Sequence, residues 1–198
     1  MICLTCRRLG EGQLCRRCRN ELRPAPEQYL PELGVISPAY RHRGTARALV
    51  HHLKYRGVAA AADVLAEEMA GSVRSDVVLV PVPRVGWRRL RYGVDPALEL
   101  AFSLARLTGG PLVRALWAPP WGRKRAGRSH GFAPTFRLRR PVADPVVLVD
   151  DVVTTGATLA AAARLFPQVV GAVTATTSMR AGIGPRGRGV RAGERPLE

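Results

Sequence analysis

Asp150 and Asp151 close an apolar run, Val146 to Val149, and are followed within a few residues by Thr154, Thr155, Gly156 and Thr158. A loop that leaves a strand and enters a helix presents backbone N–H groups with no partner inside the helix. The helix dipole adds partial positive charge there. Such a loop cradles phosphate. Thr154, Thr155 and Thr158 add hydroxyl donors, and Gly156 lets the backbone approach without a Cβ in the way. The two carboxylates repel a phosphate but accept hydrogen bonds from neutral hydroxyls. A sugar with a phosphate at one end and a vicinal diol at the other meets both demands. An N-capping aspartate in a threonine-rich turn accounts for one acid, not for two after an apolar strand.

A second constellation is Cys3-x-x-Cys6 and Cys15-x-x-Cys18, with eight residues between the two pairs. Four thiolates at this spacing can reach one tetrahedral Zn²⁺, which is then structural because protein fills all four positions. Such a site carries a net charge of roughly −2. Arg7, Arg8, Arg16, Arg17 and Arg19 offset that charge and lower the thiol pKa values. Disulfides are the alternative, and they require an oxidising compartment. No apolar leader precedes the basic residues, so the expected location is cytoplasmic. No run of about 18 apolar residues occurs, so no membrane span is expected.

The formal net charge is +16, from 31 Lys+Arg against 15 Asp+Glu, and Lys54 and Lys124 are the only lysines. Between Glu99 and Asp144 there is no acidic residue, yet Arg106, Arg114, Arg123, Lys124, Arg125, Arg128, Arg137, Arg139 and Arg140 fall there. A compositional bias with a solvated surface explains this, and so does a polyanionic partner such as single-stranded DNA. Trp87, Trp117 and Trp121 interleave with the arginines, a mixture suited either to base stacking or to a core. His51 and His52 are adjacent on a helix and face different ways, so they make a poor metal pair. Lys54 and Arg56, beside Gly57, can reach a phosphate or close a helix favourably.

These residues need a scaffold. Residues 1–23 form the cysteine module, and Pro24, Pro26 and Pro31 punctuate a linker over 24–34. Helical spacing of Ala46, Leu49, Val50 and Leu53 predicts a helix over Thr45–Lys54. Val58, Ala61, Ala62, Leu65 and Met69 predict a second. Val77–Val82, Leu112–Leu116, Val146–Val149 and Val169–Ala175 read as strands. Asp95 and Pro96 open a helix that ends at Gly109-Gly110, and another runs from Ala157 to Phe166, where Pro167 stops it. Strands alternating with helices imply an α/β fold with parallel pairing over 35–181. Residues 182–198, rich in Gly, Arg and Pro, read as a flexible basic tail.

The run VVLVDDVVTTGATL resembles the signature of type I phosphoribosyltransferases. The wider chain resembles the ComF family, competence-associated proteins with an N-terminal cysteine module on a phosphoribosyltransferase fold. The further matches are HHLKYRG (His51 to Gly57), VLVPVPRVGWRRLRYG (Val78 to Gly93) and SMR (Ser178 to Arg180). The resemblance implies a doubly wound, mainly parallel sheet with a small hood. It implies that Asp150 and Asp151 are the catalytic acids and bind the ribose hydroxyls, and that Thr154, Thr155, Gly156 and Thr158 hold the 5′-phosphate. Mg²⁺ would bridge pyrophosphate and ribose oxygens. Arg84, Arg88 and Arg91 would face the pyrophosphate, with Lys54 a further candidate. As pyrophosphate leaves, C1 becomes oxocarbenium-like, and positioning with charge stabilisation does most of the catalysis.

The chain departs from the family where it has Gly93-Val94-Asp95-Pro96 in place of Gly-Phe-Asn-Gln. It departs again around Arg125, Gly127 and His130. These positions would select a nucleophile. Three functions therefore stand. One is a phosphoribosyltransferase with an unknown acceptor. Another is a DNA-uptake factor that binds single-stranded DNA and works with partners in the uptake machinery. The third is a regulator that senses phosphoribosyl pyrophosphate or a nucleotide without turning it over.

Overall fold

The computed structural model describes residues 1–84, 94–119 and 135–178. Trp87, Arg88, Arg91, Trp121, Arg123, Lys124, Arg125, Arg128, His130, Met179, Arg180 and the basic tail lie outside the described residues. The elements in order are α1 (Arg16–Glu21), β1 (Gln28–Leu30), β2 (Gly34–Arg41), α2 (Gly44–Arg56), α3 (Ala59–Ala70) and β3 (Val78–Pro81). Then follow α4 (Pro96–Thr108), β4 (Leu116–Trp117), β5 (Arg137–Leu138), β6 (Val146–Val153), α5 (Ala157–Ala163) and β7 (Val169–Thr177).

The central sheet has the order β1-β2-β7-β6-β3. Only the β1–β2 pairing is antiparallel; β2 to β7, β7 to β6 and β6 to β3 are parallel. The apolar strands explain why helices cover both faces. Along β6, Val147 and Val149 join one core cluster while Val146 and Leu148 join the other. The first cluster is completed by α2, α3 and α4 through Leu49, Leu53, Leu65, Met69, Leu100 and Leu104. The second is completed by Leu159 and Ala162 of α5, with Leu116 and Phe136 from the β4–β5 region. The chain is thus a mixed α/β protein with a mostly parallel sheet and a four-cysteine cluster ahead of it.

Helix ends obey local chemistry. Gly57, at φ 60°, ends α2, and Gly109, at φ 71°, ends α4 with its N–H donated to the Ala105 carbonyl at 2.9 Å. Asp95 holds the N-cap position of α4 with Pro96 behind it, though its side chain makes no capping bond.

Four expectations change. Residues 24–34 are not only a linker: β1 lies there, and Pro24 bridges to Tyr40. The strand expected over Leu112–Leu116 divides into a single parallel bridge from Leu112 to Leu79 and a separate hairpin, β4 with β5. The helix expected to reach Phe166 ends at Ala163, and β6 runs on to Val153, so both aspartates belong to the strand.

The cysteine module is welded to the domain. Cys3, Leu14, Cys15 and Cys18 are buried in the cluster that contains Leu49 and Leu53. Glu21 accepts a hydrogen bond from the Thr45 hydroxyl at 2.5 Å, and Arg19 approaches Glu67 at 3.9 Å. Among the described residues, no helix is long and apolar enough to cross a membrane.

Candidate functional site

The site lies at the carboxyl ends of the parallel strands, where open α/β sheets place ligands. Strand alternation sends Asp151 to the face of Val147 and Val149. That face is covered by α2, and Lys54 Nζ lies 3.0 Å from Asp151 Oδ1. Asp151 is buried. Its carbonyl accepts the Thr176 hydroxyl at 3.4 Å, and His42 Nδ1 is 2.8 Å from the same hydroxyl oxygen. Burial first, then the charges of Lys54 and Arg47, lower the His42 pKa, against a smaller opposing effect from Asp151.

Asp150 is the other kind of acid. Its Oδ1 accepts the Asp151 N–H at 2.7 Å. Burial, and then the Asp151 charge, push its carboxyl well above the usual range, and Asp95 adds to the push. The Asp151 N–H and Lys54 pull the other way and lose. Two adjacent acids therefore differ in character, one paired with a cation and one biased toward its neutral form.

Beyond β6 the chain turns through exposed Thr154 and Thr155 to buried Gly156 and half-buried Thr158. Thr155 Oγ1 accepts the Ala157 N–H at 3.4 Å. Gly156 sits at φ 77°, and a Cβ there would overlap Leu30 Cδ1 of β1. The glycine is thus demanded twice, by a left-handed backbone and by Leu30 packed onto it. Nothing in the local spacing signals that second demand, because Leu30 meets the glycine from a distant strand.

Arg84 is, with Lys54, one of the two expected pyrophosphate ligands that fall among the described residues. It donates from Nη1 to the Lys54 carbonyl at 3.4 Å, and its Cζ lies 5.7 Å from the Tyr55 ring centroid. Lys54 points to Asp151, and Arg84 is tied to the same turn of α2. His51 packs on Tyr55, ring centroids 4.7 Å apart, in keeping with a histidine that has a structural neighbour. His42 and Thr176 were not singled out by the sequence; nothing in their local spacing marks them, because they meet Asp151 only through the sheet.

The four cysteine sulfurs lie within 4.8 Å of one another, and those of Cys6 and Cys15 are 3.6 Å apart. A tetrahedral ion with metal–sulfur bonds of about 2.3 Å sets its sulfurs about 3.8 Å apart. A disulfide needs about 2.05 Å. The cluster can hold a metal ion such as zinc. Its thiols are already unequal. Burial raises Cys3, but the Thr5 hydroxyl and backbone N–H groups of Cys15, Cys6 and Thr5 bring it down to about 5. For Cys6 the Arg8 N–H lowers the value, yet burial and the three neighbouring thiols carry it up to about 11.

The acidic pair is not a ready cation site, since an ammonium already occupies Asp151. No protein-family model matches this chain, and no curated protein matches it.

Proposed function

We propose that this chain binds phosphoribosyl pyrophosphate on a type I phosphoribosyltransferase-like fold and acts in the cytoplasm as a ComF-like DNA-uptake protein. The observation that carries the ligand reading is the placement of Asp150 and Asp151 at the carboxyl end of β6, immediately before the Thr154–Thr158 turn. In this reading the turn holds the 5′-phosphate and the two acids hold the ribose diol. Arg84, anchored on α2, faces the pyrophosphate, and the β4–β5 hairpin serves as the hood. Bound Mg²⁺ supplies charge neutralisation at the pyrophosphate oxygens. The cysteine cluster carries one structural Zn²⁺. Turnover to an acceptor and ligand sensing without turnover are two forms of the same reading, and Val94-Asp95-Pro96 weakens the first.

The ligand reading is tested by thermal unfolding. A ligand at a hundred times its Kd stabilises by about 2.7 kcal/mol, which for a chain of this size is a shift of roughly 5–11 °C. Phosphoribosyl pyrophosphate with Mg²⁺ should give such a shift, and Asp150→Ala with Asp151→Ala should abolish it. Normal calorimetric binding by the double variant would remove the acids from the diol.

A specific observation favours the DNA part. On the β4–β5 hairpin, Arg137 Cζ lies 5.9 Å from the Trp117 ring centroid, and Arg114, Arg139 and Arg140, near these two in sequence, are exposed. Phosphate contacts release counterions and are steeply salt-dependent, whereas stacking adds about 1–3 kcal/mol per base at any salt. In fluorescence anisotropy with a single-stranded oligonucleotide, replacing Arg137, Arg139 and Arg140 by Ala should flatten the salt slope. Trp117→Ala should weaken binding and leave the slope alone. An oligonucleotide that shows no saturable binding at low salt would leave the hairpin as a hood only.

A further inference from the structure

We propose that Lys54 is a positioning residue for the sugar diol: it fixes Asp151 as a charged hydroxyl acceptor and does not grip pyrophosphate. The proposal rests on the phosphoribosyl reading above.

The ion pair is short and largely shielded, at 3.0 Å, with the two side chains 21% and 11% exposed. A partly buried carboxylate with a cation against it is held in one orientation. The elements around Asp151 explain why Lys54 has this task. From β7 comes the neutral Thr176 hydroxyl, which bonds to the Asp151 carbonyl and leaves the carboxylate alone. From the end of β2 comes His42, whose lowered pKa favours its uncharged form. On β6 itself stands Asp150, an acid, with Asp95 at the head of α4 adding further negative charge. Arg84 turns its guanidinium to the Lys54 carbonyl and the Tyr55 ring. Arg47 acts on His42. Among the described residues, Lys54 supplies the cation at the Asp151 carboxylate.

The backbone fixes this arrangement. Gly57, at φ 60°, ends α2 three residues after Lys54, and a Cβ on it would come within 3.1 Å of Val94 Cγ2. The last turn of α2 is therefore pressed against the segment that leads into α4, and Lys54 is delivered to Asp151 by packing. An ammonium engaged in this way does not extend toward a pyrophosphate, a task left to Arg84.

Three probes separate the roles. Lys54→Met and Lys54→Arg are titrated calorimetrically with phosphoribosyl pyrophosphate plus Mg²⁺ and with ribose 5-phosphate. Inorganic phosphate, a weaker probe, is followed by ³¹P line broadening. If Lys54 positions the diol acceptor, Lys54→Met weakens both sugar phosphates by the same factor, roughly tenfold to a hundredfold for a charge-assisted contact. Inorganic phosphate is then unaffected, and Lys54→Arg recovers most of the loss. Weakening confined to phosphoribosyl pyrophosphate would show a pyrophosphate grip and overturn the proposal. Equal weakening of all three probes would show general structural damage and overturn it too. Wild-type protein that binds neither sugar phosphate would instead overturn the phosphoribosyl reading itself.

Amine labelling gives a check that does not depend on affinity. The chain has only two lysines, Lys54 and Lys124, so one labelled peptide reports on each. Lys54 should resist acetylation in the wild type and become reactive in Asp151→Asn, with Lys124 as the internal reference. Equal reactivity of Lys54 in both proteins would deny the ion pair.

Discussion

Chelation of the metal at Cys3, Cys6, Cys15 and Cys18 should lower the melting temperature by about 10 °C or more, with about one zinc ion released per chain. The size follows from where the cluster sits. Cys3 and Leu14 are each 1% exposed, and with Cys15 and Cys18 they share a core with α2 and α3. The helix that carries Cys18 and leads toward the sheet, α1, has six residues and is far too short to hold itself together. A structural zinc contributes folding energy outright, about 10–16 kcal/mol in isolated finger peptides. Even half of that, at about 2–4 °C per kcal/mol for a chain of this length, amounts to at least about 10 °C. Loss of the module also withdraws Glu21 from Thr45 at the start of α2. Cys15→Ser should behave like the stripped protein. Elemental analysis of protein prepared without chelator, together with scanning calorimetry, decides it. Metal content near zero with an unchanged melting temperature would retire the zinc assignment.

Asp150→Asn should raise stability at neutral pH and weaken ligand binding in the same molecule. Burial and the charge of Asp151 hold the Asp150 carboxyl above its unfolded value. The stability this group contributes is therefore complete in acid, below the unfolded carboxyl pKa. It is lost as pH rises through the raised, folded value. At pH 7 the wild type carries that loss, and Asn does not. Asn also keeps an oxygen for the Asp151 N–H. A single stabilising substitution is commonly worth about 0.5–2 kcal/mol, or roughly 1–8 °C here. The difference in melting temperature between variant and wild type should be positive at neutral pH and vanish toward pH 4. A variant less stable than wild type at neutral pH would mean that Asp150 is held in its charged form.

What could be read from the residues depended on how local the cause was. Periodicity and end signals placed α2 and α4, because Gly57, Pro96 and Gly109 act on their own backbone. The cysteine spacing placed the metal cluster, but not its union with the main core, which depends on contacts to α2. β1 and β2 were hidden by prolines. Pro38 is tolerated within β2 because β1 pairs only with Gly34, Val35 and Ile36 and the next bridge is Pro24 with Tyr40, so Pro38 falls in the gap between the two. The aspartates and threonines of the site were legible as a run, since strand, turn and helix follow one another directly. The partner of Asp151 was not, because Lys54 reaches it from a distant helix across the sheet. Lys54 was marked as a possible phosphate ligand on the strength of its charge, and charge alone does not say which oxygen it meets.

The strand order has a consequence for synthesis. β2 takes its place in the sheet beside β7, with Ile36 opposite Ala172. At about 5–20 residues per second, the ribosome needs roughly 7–27 s to make the chain between those two positions. Throughout that interval Val173 and Ala175, which share the buried cluster with Cys3, Cys15 and Cys18, have not yet been made. The nascent chain must therefore meet its metal, or be kept reduced, before the fold can protect it.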